Sequence, residues 1–153
     1  MKEITIHLLK GFCNLFFGDN EKRAQELFGE PDEIEELVDE LLDEKSLVYH
    51  YFEGGFSLFF KNDAKKELHC IEVDNPETLL LGTKIFSLSE EEIKKLFKQS
   101  AFPLSEIEQH PWGEKRLSFD EAFADLYFEK GKLVSINYCA PEKYSDIGKL
   151  NLN

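Results

Sequence analysis

Four histidines (His7, His50, His69 and His110) and three cysteines (Cys13, Cys70 and Cys139) are the side chains best suited to chemistry. A metal centre needs three or four convergent ligands, and no C-x-x-C or H-x-x-x-H spacing occurs, so no metal is expected. His50 and His69 fall on adjacent predicted strands and could meet. Cys70 beside His69 points to the opposite face of a regular strand, which opposes joint ligation. There is no G-x-S-x-G elbow, phosphate loop, dinucleotide fingerprint or calcium loop. Acidic residues are so abundant that any carboxylate pair is uninformative about acid–base catalysis. The residues therefore predict neither an enzyme nor a bound cofactor.

What remains is charge. The chain has 153 residues, with 31 acidic against 18 basic, for a net charge of −13. Such a field repels nucleic-acid backbones and anionic membranes, and it accelerates association with a basic protein. The acid is densest from Glu30 to Lys45 (EPDEIEELVDELLDEK). Ile34, Leu37, Val38, Leu41 and Leu42 recur at helical spacing, which predicts an amphipathic helix. Asp32 is its expected N-cap. Its outer face carries Glu35, Glu36, Asp39, Glu40, Asp43 and Glu44 with no base among them. Each like-charge i,i+4 pair there costs roughly 0.2–0.5 kcal/mol. Burial of five apolar side chains, at roughly 1.5–3 kcal/mol each, outweighs that cost. Two readings stay open: a solvated face on a well-packed helix, or a docking surface for a basic partner. Trp112, the only Trp, sits in His110-Pro111-Trp112-Gly113. It either caps a sheet end or anchors an interface.

The elements that position these residues follow from local grammar. Ile4, Ile6 and Leu8 alternate as an opening strand. Residues 12–17 fit either a strand or a short helix. Asn20 and Gly29 bracket a helix over 21–28. Strands are expected over 47–52 and 56–61 about Gly54-Gly55, then over 68–73. Ser89 and Glu92 form a capping box for a helix over 90–97. An irregular stretch leads to strands near 116–119, 123–129 and 132–138, the last two joined at Lys130-Gly131.

The two halves look alike. Leu27-Phe28 matches Leu96-Phe97, and Phe56, Leu58 and Phe60 match Phe123, Leu126 and Phe128. The expectation is an α+β fold in which two tandem helix–helix–antiparallel-sheet repeats, about 10–75 and 79–140, form one compact domain spanning 1–153. The repeats could share one sheet or pack face to face. In the second repeat Pro103, Glu106, His110 and Pro111 stand near the places of the apolar stripe, so the scaffold itself does not require the acid density.

The run GDNEKRAQELFGEPDE, followed by aromatic strands and a Gly-turn hairpin, resembles the repeat unit of beta-lactamase-inhibitor-protein-like folds. That resemblance implies tandem helix–helix–sheet repeats that act by binding proteins. Size and charge also resemble those of bacterial toxin-immunity proteins. Together these readings suggest an acidic protein-binding module, an inhibitor or immunity-type protein that occludes the active site of a basic partner such as a toxic nuclease. The alternatives are a subunit of an oligomer and a small-molecule-binding domain. No leader peptide and no membrane-spanning run is expected, and the cysteines read as reduced thiols of a cytoplasmic protein.

Overall fold

The computed structural model describes residues 3–41 and 43–141. Leu42 of the expected apolar stripe and the tail beyond residue 141 lie outside the described residues. The fold is dominated by β-structure, with two α-helices, and this overturns the helix–helix–sheet repeat. The largest change is at the acidic stretch. It is not a helix but strand β4 (Glu33–Asp39), paired along its whole length with β5 (Glu44–Tyr51), from Glu33 opposite His50 to Asp39 opposite Glu44. The like-charge pairs give a physical reason. Glu35 and Asp39, neighbours on a helix, are about 13 Å apart along the strand, and Glu35 instead meets His50 Nε2 at 2.9 Å, although Asp39 and Glu44 now face each other across the hairpin.

Local grammar succeeds where the signals are short-range. Helix α1 (Glu21–Phe28) is capped by Asn20 and ends at Gly29, whose φ is 82°. Helix α2 (Glu90–Gln99) starts with the full Ser89–Glu92 capping box. Glu90 then fixes α2 to the sheet through Lys115 Nζ at 2.7 Å, and also pairs within the helix with Lys94 Nζ at 3.0 Å.

Strands β6 (Phe56–Lys61) and β7 (Leu68–Val73) complete a four-stranded meander with β4 and β5. Four more strands form a second meander: β10 (Glu106–Gln109), β11 (Glu114–Phe119), β12 (Ala124–Glu129) and β13 (Lys132–Cys139). The two meanders join by antiparallel pairing of β13 with β7, giving one eight-stranded sheet in the order β10-β11-β12-β13-β7-β6-β5-β4. Residues 12–17, undecided from sequence, form two very short strands. These are β2 (Gly11–Phe12) and β3 (Leu15–Phe16), which pair beside β1 (Thr5–His7). With β8 (Leu79–Leu80) and β9 (Thr83–Lys84) they make a second, five-stranded sheet in which β1 and β8 run parallel.

One hydrophobic cluster unites these parts. Phe56, Leu58 and Phe60 of β6 alternate with the less buried Ser57, Phe59 and Lys61, the period expected of a sheet with one core face. Onto that face come Ala24 of α1, Ile93 and Phe97 of α2, and Phe12 and Leu15 of the small sheet. Phe97 stacks on Phe119 with centroids 4.2 Å apart.

Cys70 and Cys139 stand directly opposite one another on β7 and β13, and they form a disulfide. This corrects the expectation of reduced thiols at both positions. Cys13 is free.

Candidate functional site

Within the β4–β5 hairpin, β5 supplies Val48, Tyr49 and Tyr51 to the buried set, but β4 supplies nothing to it. Every residue of β4 is exposed, including Ile34 at 53%, Leu37 at 40% and Val38 at 58%. Leu41, in the turn, is 97% exposed. The stripe expected to bury itself is therefore displayed, interleaved with Glu35, Glu36 and Asp39 and followed by Glu40, Asp43 and Glu44. β4 is also the open edge of the large sheet. Asp39 is committed to the turn, since its Oδ1 accepts the Leu41 N–H at 3.0 Å.

Trp112 lies elsewhere. It occupies the turn between β10 and β11, at the opposite edge of the sheet, with six strands between β10 and β4. It is 71% exposed and does not cap the core; instead it stacks on His110 at 4.4 Å. The structure therefore does not bring Trp112 together with the acidic residues.

The sheet face turned away from the helices carries a polar row in register across all eight strands. Glu106, Ser118, Asp125 and Asn137 continue into Glu72, Ser57, His50 and Glu33. Ser118 donates to Asp125 at 2.6 Å, and Arg116 pairs with Glu108 at 2.7 Å and Glu106 at 3.2 Å. Burial, reinforced by Asp74, pushes the Glu72 carboxyl up, with His50 opposing. Asn137 Oδ1 is buried with no hydrogen-bond partner among the described residues. At one end of the row Glu33, Glu35 and His50 bring three potential ligand atoms within 4.8 Å of one another. His50 Nε2 lies 2.9 Å from Glu35 Oε1, and Nδ1 lies 2.8 Å from Ser57 Oγ. These are the described side chains that could hold a metal ion.

His50 and His69 keep separate partners. His69 Nε2 lies 3.4 Å from Ser46 Oγ, and Nδ1 lies 3.5 Å from Cys70 Sγ. A bulge opposite Phe59 and Phe60 makes His69 the extra residue, which breaks the alternation expected to separate it from Cys70.

A pocket of about 760 Å³ opens where the small sheet, the end of α1 and the β5–β6 turn meet. Its apolar wall includes Ile4, Leu27, Phe28, Tyr51 and Phe56. Its carboxylates are Glu3, Glu30, Asp32 and Glu53, and among the described residues none that lines it is basic. Sequence reasoning missed this site because its walls come from four separated segments. Glu30 and Asp32 lead directly into β4, so pocket and hairpin adjoin along the chain. Burial, with the charges of Glu30 and Asp32 contributing after it, pushes the Tyr51 phenol up to about 12.

No family model matches the chain, and no curated protein matches it. Among solved structures it is similar to a DUF4309 family protein, YjgB, from Bacillus subtilis, at 15% identity and a TM-score of 0.49. The match covers 86% of this chain and 88% of that one. Among the described residues, no helix is long and apolar enough to cross a membrane.

Proposed function

We propose that the chain is an acidic protein-binding module and that the β4–β5 hairpin is its docking element. The observation that carries this reading is the exposure of Ile34, Leu37, Val38 and Leu41 on a strand and turn whose other described residues are all acidic. By strand alternation Ile34 and Val38 fall on one face of β4 and Leu37 on the other, so the edge offers apolar side chains on both faces among its carboxylates, and apolar exposure with a polar rim is the usual form of an interaction surface. The acid selects the partner: a basic surface is attracted and an acidic one repelled. It also disfavours self-association, because two β4 edges would set one carboxylate row against another.

In an inhibitory role these carboxylates occupy a cationic site of the partner, where an anionic substrate group otherwise binds. The Cys70–Cys139 disulfide favours an oxidising compartment over the cytoplasm, since such bonds are scarce where thiols are kept reduced. It therefore supports an inhibitor working outside the cytoplasm more than an immunity protein working within it.

The test is affinity capture with the immobilised wild-type chain and with a Glu36→Lys/Glu40→Lys variant, at low and high salt. The expected result is an identified basic protein held by wild type at low salt and released by salt or by the charge reversal. Equal retention by the variant, or recovery of no basic protein, refutes the reading.

A further inference from the structure

The pocket beside α1 has a chemical character that the hairpin reading does not use. Its four carboxylates, Glu3, Glu30, Asp32 and Glu53, make no ion pair among the described residues. Helix α1 ends at the pocket with Leu27 and Phe28, and its last turn holds no base. The negative end of the helix dipole thus adds to the carboxylates. Three rings back this charge. Phe28 and Tyr51 are 5.9 Å apart, Phe28 and Phe56 5.0 Å, and Tyr51 and Phe56 4.9 Å. Tyr51 is held in place because its hydroxyl donates to the Gly29 carbonyl at 2.9 Å. Burial raises the Cys13 thiol, so that part of the wall is neutral. Anionic rim and aromatic wall are the two elements by which proteins hold an alkylammonium group.

We propose that this pocket binds a small organic cation, an ammonium group carried on an aromatic or branched apolar body. The apolar body lies against Leu27, Phe28 and Phe56, and the cationic end faces the carboxylates. The volume is of the size that encloses a whole small molecule and is several times that of one Lys or Arg side chain, which argues for a free ligand over a side chain of a protein partner. The inference stands apart from the hairpin reading, because Glu36 and Glu40 do not line the pocket.

The experiment is isothermal titration calorimetry of the oxidised full chain at neutral pH with three probes of matched shape: phenylbutylammonium, phenylbutanol and phenylbutyrate. The ammonium probe is expected to bind at least about tenfold more tightly than the alcohol, with the carboxylate weakest. A Glu30→Gln/Glu53→Gln variant is expected to erase the preference for the cation while still binding the alcohol. Leu27→Trp is expected to fill the pocket and abolish binding of both, with an unchanged circular dichroism spectrum. The Glu36→Lys/Glu40→Lys chain is expected to bind the ammonium probe as wild type does, so failure at the hairpin and failure at the pocket are read separately. Equal binding of cation and alcohol, no binding, or a Leu27→Trp chain that folds and still binds overturns the proposal. So does a blocked lysine-containing peptide that binds the pocket more tightly than the free amine.

Discussion

Tyr138 donates a hydrogen bond to the carbonyl of Gly11 at 2.9 Å, across a sequence separation of 127. The ring is fully buried, and it ties β13 of the large sheet to β2 of the small one. Tyr138→Phe keeps the packing but leaves the Gly11 carbonyl without this donor. The expected loss is about 1–3 kcal/mol, read from urea denaturation followed by circular dichroism.

Gly11 is itself under tight constraint. Its φ is 155°, and a Cβ built there lies 2.1 Å from the Leu15 carbonyl oxygen and 2.8 Å from Phe16 Cα. Both obstacles are backbone, so neither can rotate away. Gly11→Ala is expected to separate β2 from β3 and to cost more than about 2 kcal/mol in the same assay.

The buried phenols predict an alkaline limit to stability. Tyr51 is held up to about 12 by burial first and then by Tyr49, Glu30 and Asp32, and burial raises Tyr138 well above its ordinary value of 10.0. The folded state therefore keeps protons that the unfolded chain releases. This contribution is fully present below pH 10 and is lost as pH rises through the folded value near 12. The urea midpoint should fall between those limits. Tyr51→Phe should lie below wild type at pH 7, where it lacks the bond to Gly29, and should decline less steeply above pH 10. Parallel decline of the two proteins would contradict this.

The disulfide joins residues with a sequence separation of 69. By loop-closure entropy, its removal in a Cys70→Ala/Cys139→Ala chain should cost about 4 kcal/mol. Non-reducing peptide mapping should recover Cys70 cross-linked to Cys139, with Cys13 still open to alkylation.

The parts of this fold legible in the sequence were those governed by near neighbours. Asn20 and Gly29 bounded α1, Ser89 with Glu92 started α2, and Lys130-Gly131 turned β12 into β13. The stretch from Glu33 misled because its apolar residues fit a helical period, while the alternative depended on a partner strand. Pairing with β5 supplies ladder hydrogen bonds that no window on the stretch itself contains. The same limit hid the disulfide, which requires knowing that β7 and β13 are neighbours. It hid the contact of His69 with Cys70, which requires a bulge set by β6. Of the candidate residues, the acidic set remained together on the hairpin, but Trp112 went to the far edge. The pocket carboxylates were visible as acids and not as a group, because Glu3 and Glu53 are fifty residues apart in sequence.

The order of strands in the large sheet also bears on how the chain reaches it. Six of its seven pairings join consecutive strands, each closed by a short connection, so each meander has low contact order and can zip from its own turns. The seventh, β7 with β13, must wait for both and must close a long loop. Oxidation at Cys70 and Cys139 makes that closure permanent in the unfolded chain. An oxidised chain should therefore refold from denaturant faster than a reduced one, and a stopped-flow comparison of the two measures how much of the barrier is the search for that single pairing.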